Sequence, residues 1–292
     1  MRAMSEQWAI QIDVTNRCPH GCSNCTRLTR HVQETPYFMP VEQFREILRC
    51  AAPFPTESPP DPEGRTKVIG IIGGEPTLHP QFTELVDAIE ELVPDRKHRG
   101  LWTSLGPIYR EHQARCGEVF GFQNKNAHGK PCWHQPLAVA ARELMDDTRA
   151  MWKLIWDCWL QTHWCGSITP RGVYFCEVAA TWDLLLRPEA ESLALPVTDH
   201  FWNRSMIDFH PQMKAYCPLC GLAMPLPRRR DTDRRDDITP GNLKLLTDAL
   251  GHEPQDVVLF DPTGYRPETY ADNWHPRRYR EPSPDDVGNP QP

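Results

Sequence analysis

The sequence lacks the features that mark membrane, exported and nucleic-acid-binding proteins. None of its apolar runs, such as residues 137–141, approaches the roughly 18 residues that a transmembrane helix needs. The N-terminal sequence MRAMSEQWAI does not have the basic-then-apolar order of a signal peptide. The net charge of −7 argues against non-specific binding to phosphate backbones. We therefore expect a cytoplasmic protein that spans no membrane and binds no nucleic acid.

One basic segment stands out against this acidic background. Residues 228–237, RRRDTDRRDD, contain arginines and aspartates in nearly equal numbers. Because each arginine has an aspartate nearby, the composition predicts a solvated loop whose charges compensate one another.

The first half of the chain alternates between strand and helix patterns. Residues 8–14 alternate apolar and polar side chains, which predicts a strand buried on one face. Apolar positions at helical spacing follow in residues 41–48. Further predicted elements are a strand at 67–72, a helix at 82–93, and strands at 100–105 and 118–123. This alternation is typical of βα units and a parallel sheet.

The second half has a different pattern. A long segment with an apolar face, residues 137–159, predicts one helix, and residues 167–176 predict a β-hairpin. A further helix is predicted at 241–250, with Thr239 as N-cap and Gly251 as its end. The apolar run at 257–260 indicates one more element.

The chain holds 11 cysteines, an odd number without an export signal, which favours metal binding or redox chemistry over disulfides. Cys18, Cys22 and Cys25 form a CxxxCxxC motif directly after the first predicted strand. Three soft thiolates on one loop favour an iron–sulfur cube, in which one of the four irons stays open. Zinc is the alternative, although His20 and His31 complete no common zinc pattern.

A second motif follows the second predicted strand: Gly73, Gly74, Glu75 and Pro76. Together with the cysteine motif, it resembles the radical S-adenosylmethionine (SAM) superfamily. The resemblance implies that Cys18, Cys22 and Cys25 ligate a [4Fe–4S] cluster whose open iron chelates SAM. It also implies that the GGEP segment lies beside the SAM amine, where glycines let the backbone approach a ligand.

Further contacts to SAM are expected around these motifs. Asn24 stands where members of the superfamily usually carry an aromatic residue that touches adenine. Thr103 and Ser104, at the end of the third predicted strand, and Gln123, after the fourth, are candidates for contacts to SAM.

A second cysteine group lies in the later part of the chain. Its arrangement resembles the twitch domain, a shortened SPASM domain that holds an auxiliary [4Fe–4S] cluster in some radical SAM enzymes. The resemblance implies as ligands Cys158, Cys176, Cys217 and Cys220. Cys165 is the rival of Cys158, and a zinc site formed by Cys165, Cys176, Cys217 and Cys220 stays the alternative.

The expected architecture is α/β: a partial TIM-like (β/α) barrel followed by a small hairpin-plus-helix auxiliary-cluster domain. We expect the radical SAM core in residues 1–157 and the twitch/SPASM-like domain in residues 158–225. A segment rich in Pro, Arg and Asp with one helix then fills residues 226–292.

The resemblance also implies an activity. A radical SAM enzyme reductively cleaves SAM to a 5′-deoxyadenosyl radical, which abstracts hydrogen from a substrate carbon. We expect a small polar or sugar-like substrate, with a two-electron oxidation among the outcomes, and a reductant such as flavodoxin or ferredoxin. The substrate is expected as a free small molecule or on a carrier or peptide. The alternatives are a radical SAM maturase of a peptide or protein substrate, and a non-catalytic iron–sulfur or zinc-binding module.

Overall fold

The computed structural model of the chain describes residues 1–32, 36–104, 107–125 and 132–271. In this part, a six-stranded sheet has the order β4-β3-β2-β1-β6-β7, and β5–β8 and β9–β10 form two small additional sheets. The strands are β1 (Ala9–Asp13), β2 (Val68–Ile72), β3 (Arg99–Thr103), β4 (Phe122–Lys125), β5 (Trp133–His134), β6 (Cys165–Thr169), β7 (Gly172–Tyr174), β8 (Arg229–Arg230), β9 (Asp236–Ile238) and β10 (Val257–Leu259).

Helices connect and cover these strands. They are α1 (Thr29–Val32), α2 (Val41–Ala51), α3 (Phe54–Glu57), α4 (Phe82–Leu92), α5 (Pro107–Val119), α6 (Ala141–Leu144), α7 (Thr148–Trp156), α8 (Trp159–His163), α9 (Glu177–Leu186), α10 (His210–Tyr216), α11 (Pro240–Leu250) and α12 (Pro267–Ala271). None of the helices in the described residues is long and apolar enough to cross a membrane.

The central sheet is mostly parallel. Strands β1 to β4 and β6 run in the same direction, and β7 alone is antiparallel. Strand β6 pairs directly with β1, with Gln11 opposite Ser167. The predicted hairpin is confirmed as β6–β7, and it extends the central sheet. The result is an α/β fold consistent with a partial barrel.

Strand β1 lies at the centre of the sheet and is buried on both faces. Ile10 and Ile12 belong to the main hydrophobic core, and Gln11 and Asp13 on the other face are buried as well. The prediction of a strand buried on one face was therefore wrong, because parallel sheets are covered on both sides. The buried polar positions of β1 pack against the cysteine loop, as described below.

Two predicted elements differ from the structure. Residues 118–123 do not begin a strand: α5 continues to Val119, and β4 starts only at Phe122. The single helix predicted for 137–159 is divided into α6, α7 and α8. Asp147 starts α7 afresh, since its carboxylate accepts hydrogen bonds from the backbone amides of Arg149 and Ala150.

Other predictions are confirmed. Helix α11 begins after Thr239 and ends at Gly251, whose φ of 78° is the left-handed conformation typical of a helix C-terminus. The Thr239 hydroxyl does not cap this helix as predicted: it accepts from the Ala140 amide at 3.1 Å and donates to Glu143 at 2.8 Å. Strand β10 lies within the apolar run at 257–260, and the strand predicted at 100–105 is β3. Residue 105 is outside the described residues.

Candidate functional site

The first cysteine group lies on the loop that leaves the carboxyl end of β1. Cys18, Cys22 and Cys25 are all half-buried. Burial, together with the charge of Cys25, raises the pKa of Cys18 to about 12. Burial is also the main cause that raises the pKa of Cys22, followed by the neighbouring Cys25 and Cys18. Burial raises the pKa of Cys25 as well, so the three thiols form a donor set whose ionisation a cationic iron cluster would favour.

The GGEP segment packs against the start of this loop. The amide of Gly74 donates to the carbonyl of Thr15, and the amide of Glu75 donates to the carbonyl of Arg17, each at 2.7 Å. A Cβ atom on Gly73 would lie 2.4 Å from the Thr15 oxygen, and one on Gly74 would lie 2.3 Å from the Arg17 oxygen. Both glycines are therefore required for contact between the two loops, in addition to any approach of a ligand.

Glu75 is hydrogen-bonded to two of the other predicted site residues, Thr103 and Ser104. Its side chain is buried, and one carboxylate oxygen accepts hydrogen bonds from the Thr77 hydroxyl at 2.7 Å and the Thr103 hydroxyl at 2.8 Å. The other oxygen accepts from the Ser104 amide at 2.6 Å and from the Ser104 hydroxyl. Glu75 also caps the short turn that begins at Pro76, by accepting from the Thr77 amide. The carboxylate thus links the GGEP segment to the end of β3.

The side chains of the other two predicted SAM contacts are directed elsewhere. The Asn24 amide is hydrogen-bonded to Asp237 near the C-terminal end of the described chain. Gln123 accepts from the Tyr109 hydroxyl at 2.7 Å and donates to the Cys116 carbonyl at 3.0 Å, which ties β4 to α5. In this structure both side chains make contacts within the protein.

The segment 228–237 is only partly the solvated loop that its composition predicts. The charge compensation is confirmed for Arg229 and Asp237, whose closest atoms are 2.6 Å apart. Solvation is wrong for Asp231, Asp236 and Asp237, which are all buried. The carboxylates of Asp236 and Asp237 accept hydrogen bonds from Asn24 of the cysteine loop, and Asp231 meets this loop through its backbone carbonyl. The composition of the segment does not show these contacts.

The second cysteine group surrounds one small cavity. Its lining includes the four predicted ligands and apolar side chains such as Ile155, Phe175 and Leu222; the four are Cys158, Cys176, Cys217 and Cys220. Burial raises the pKa of each of the four thiols, and for three of them the neighbouring thiols add to the effect.

Cys165, the rival of Cys158, is not among the residues that line this cavity. It is fully buried at the start of β6, in a cluster with Trp8 and Trp102. Within the described residues, no three His, Cys, Asp or Glu side chains come close enough together to hold a single metal ion. His128, which the sequence places near Cys132 and His134, is outside the described residues.

An ionic network that the sequence patterns did not indicate connects the two cysteine groups. Arg27 is buried and donates to Asp13 at 2.8 Å and to Gln11 at 2.9 Å, and it lies 3.2 Å from the Glu177 carboxylate. Arg27 follows Cys25 by two positions, and Glu177 follows Cys176 directly. The feature of the sequence that could have indicated this network is the presence of two polar residues, Gln11 and Asp13, on a central strand of a sheet that is covered on both sides.

A second contact strengthens the same connection. The hydroxyl of Thr181, on α9, donates to the carbonyl of Thr26 at 3.1 Å. The cysteine loop and the N-terminal part of α9 are therefore joined by an ion pair and a hydrogen bond.

Comparison with known proteins identifies one part of the chain. Residues 12–112 match the sequence profile of the Radical SAM superfamily. This part contains the first cysteine group, the GGEP segment and the end of β3. No curated protein matches the chain.

Among solved structures, the chain is similar to the crystal structure of BtrN in complex with AdoMet and 2-DOIA. The identity is 13%, and the likeness covers 73% of this chain and 87% of that chain with a TM-score of 0.37.

Proposed function

We propose that the chain is a radical SAM enzyme in which Cys18, Cys22 and Cys25 ligate a [4Fe–4S] cluster and the open iron binds SAM. The observation that carries the proposal is the direct packing of the GGEP segment on the cysteine loop, at the carboxyl edge of a parallel sheet. Ligand sites of α/β proteins lie at this edge. When bound, the cluster supplies the electron that cleaves SAM to the radical that abstracts hydrogen from the substrate.

The residues of the chain prepare this site in three ways. The three cysteines give up their thiol protons on binding iron, whose positive charge offsets the burial that raises the pKa of each and the repulsion between thiols at Cys18 and Cys22. Glu75 already accepts hydrogen bonds from Thr77, Thr103 and Ser104. Its carboxylate therefore holds the GGEP segment and the end of β3 together. We assign the contact with the SAM amine to backbone groups of the GGEP segment.

We further propose that Cys158, Cys176, Cys217 and Cys220 hold an auxiliary [4Fe–4S] cluster. The proposal rests on their convergence on one cavity and on the four thiols being the complete donor set of such a cluster. Arg27 and Glu177 connect this site to the first one through the interior. Electrons for both sites would come from a small reductant protein such as flavodoxin or ferredoxin in the cytoplasm.

The substrate class that we propose is a small polar or sugar-like molecule. A second cavity of about 470 Å³ lies where β6 ends, and its lining includes Tyr37, Thr169, Arg171 and Arg187. The volume is in the range of small-molecule sites, and hydroxyl and guanidinium groups suit a polar ligand. Tyr37 donates to the backbone carbonyl of Asp13, which places the cavity close to the central network.

The test of the activity is anaerobic reconstitution with iron and sulfide, followed by reduction with dithionite in the presence of SAM. We expect release of 5′-deoxyadenosine, and none from the triple variant Cys18→Ala/Cys22→Ala/Cys25→Ala. A reconstituted chain that binds iron but forms no 5′-deoxyadenosine would contradict the enzymatic proposal and favour a binding module.

The auxiliary cluster has a separate test. Two clusters require about eight irons per chain with matching acid-labile sulfide. A content of about four irons and one zinc would contradict the second cluster and identify a zinc site instead.

A further inference from the structure

The two residues between Cys22 and Cys25 are enclosed by the C-terminal part of the described chain. Ser23 has no exposed surface. Its amide donates to the carbonyl of Asp231 at 2.9 Å, and its hydroxyl accepts from the amide of Arg235 at 2.9 Å. Its carbonyl lies 2.7 Å from Nδ1 of His134. Every polar group of Ser23 therefore has a partner outside the cysteine loop.

Asn24 is held even more closely. It is 1% exposed, and its Nδ2 donates to a carboxylate oxygen of Asp237 at 2.9 Å. Its Oδ1 accepts from the amide of Asp237 at 2.9 Å, and its own amide donates to Asp236. Its φ of 51° lies in the left-handed region, which asparagine tolerates better than most residues. The residue type thus matches both the backbone conformation and the pair with Asp237.

The two aspartates are themselves fixed by cations or donors. Asp236 lies 2.9 Å from Nε2 of His31, which is on α1 just after the cysteine loop. Asp237 binds Arg229 through both of its oxygens, at 2.6 and 2.9 Å. Strand β9, which carries both aspartates, is paired with β10. The aspartates that hold Asn24 therefore belong to a paired strand.

We propose that residues 231–237, here called the clasp, are part of the first cluster site. The clasp fixes the backbone between Cys22 and Cys25 so that both thiols are directed at the same ligand, and Asn24 and Asp237 are positioning residues. The inference rests on the proposed function, because the ligand is the cluster held by Cys18, Cys22 and Cys25. It gives a role to the acidic–basic segment, and it gives Asn24 a role other than a contact to adenine.

The physical basis is preorganisation. Two residues separate the two ligands, and the left-handed turn at Asn24 is kept by hydrogen bonds that the loop cannot make alone. Without them the thiols sample many relative positions and the cluster has to order the loop. Loss of outer groups that orient metal ligands typically weakens metal binding about 10- to 100-fold.

The test uses an exchange of partners in the full-length reconstituted chain. Asn24→Asp sets a carboxylate against that of Asp237, and we expect a chelator to remove iron from the first site at least about tenfold faster. Adding Asp237→Asn to Asn24→Asp restores one donor–acceptor pair, and we expect much of the retention to return. Asn24→Gly keeps the left-handed backbone but loses the side-chain hydrogen bonds. Its rate of iron loss should lie between that of Asn24→Asp and that of the double variant.

The matched control is Asp248→Asn. This aspartate lies outside the clasp at an exposed position of α11, where it pairs with Lys244, so its loss should leave iron retention unchanged. The second readout is the EPR spectrum of the reduced chain with and without SAM. We expect a broadened signal and a weaker response to SAM in Asn24→Asp. Iron bound elsewhere is subtracted with the Cys18→Ala/Cys22→Ala/Cys25→Ala variant.

The outcomes separate the inference from the function on which it rests. The clasp is overturned if Asn24→Asp retains iron as well as the parent and gives the same EPR spectra. It is also overturned if Asn24→Asp loses iron and the added Asp237→Asn change does not restore retention. If the parent and the triple cysteine variant bind the same amount of iron, the proposed function itself fails. Rescue by the exchange, together with an unchanged Asp248→Asn variant, supports the clasp.

Discussion

Glu75 is a buried carboxylate that is stabilised by hydrogen bonds to both of its oxygens. Donors from Thr77, Thr103 and Ser104 surround both of its oxygens, so that the motif residue joins two loops at the edge of the sheet. A carboxylate accepts several hydrogen bonds at once, whereas an amide offers only one oxygen. The identity of the residue is therefore fixed by its partners as well as by the ligand.

This reasoning predicts the effect of Glu75→Gln. The new NH₂ group would face hydroxyl and amide donors, leaving buried groups unpaired, and we expect a loss of about 1–3 kcal/mol in the free energy of unfolding. Urea denaturation of the metal-free chain measures it. Glu84→Gln, at an exposed position of α4, is the control and should be neutral. Equal midpoints for the two variants would contradict the assigned role.

Asp13, the partner of Arg27, is a second buried carboxyl whose ionisation depends on its surroundings. Burial raises the pKa of Asp13, and this effect outweighs the lowering by Arg27 and Tyr37. A carboxyl whose pKa is higher in the folded chain stabilises the fold below its unfolded pKa, and the contribution is lost as the pH rises through the folded pKa. Arg27 limits that loss by favouring the charged form.

In Arg27→Gln we expect the free energy of unfolding to fall, and we expect the size of this fall to depend on pH. Two buried carboxylates lose their cation, and we expect a destabilisation of about 3–5 kcal/mol at pH 7. It should shrink as the pH is lowered from about 7 to 5, because protonation of Asp13 removes one unpaired charge. Denaturation of the metal-free chain at several pH values measures this. The control is Arg45→Gln, whose partner Glu91 is largely exposed. Parallel pH profiles for parent and Arg27→Gln would refute the explanation.

At the scale of elements, the segment after β2 and the loop after β1 behave as one unit. Gly73 and Gly74 touch the backbone of residues 15–17 so closely that no side chain fits between them. Sequence patterns predicted the strands and both motifs at these places. They did not predict the direct contact, because it depends on the pairing of β1 with β2.

Gly73→Ala tests this contact. Its Cβ would stand 2.4 Å from the Thr15 carbonyl oxygen, so the two loops must separate, and we expect iron retention at the first site to fall about tenfold or more. Chelator competition measures this fall.

Gly117→Ala is the matched control for Gly73→Ala. Gly117 lies in α5 with no atom within 4 Å of the added Cβ, and the change should stabilise the helix by about 0.5–1 kcal/mol. Iron retention in Gly73→Ala that matches Gly117→Ala would show that the glycine serves no contact between loops.

At the scale of the whole molecule, the second cysteine group is assembled from distant segments. Cys158 precedes α8, Cys176 precedes α9, and Cys217 and Cys220 follow α10. Only the folded chain brings them around one cavity. The choice between Cys158 and Cys165 rested on spacing in the sequence, and the structure adds a physical difference, since Cys165 packs among tryptophans.

The two cysteines should therefore respond differently to substitution. Cys158→Ala should reduce the iron content of the reconstituted chain by about four atoms, and Cys165→Ala should leave it unchanged. Iron and acid-labile sulfide determinations measure both. A loss of iron in Cys165→Ala with full retention in Cys158→Ala would reverse the assignment.

The sequence by itself determined the alternation of strands and helices in the first half, the two motifs, and the grouping of most cysteines into an early and a late set. These follow from local periodicity and short spacing, which the chain carries without reference to its fold. It did not determine where the long apolar segment 137–159 breaks, because an apolar face is compatible with one helix or three, and Asp147 decides between them by capping α7.

The tertiary structure alone decided which polar residues become partners. Arg27 with Asp13 and Glu177, and Asn24 with Asp237, are pairs whose members are far apart in the chain. Their signal in the sequence is weak, since a charged residue in a polar loop usually faces water. Burial reverses that expectation, because a buried charge or amide is stable only with a partner, and the fold supplies the partner.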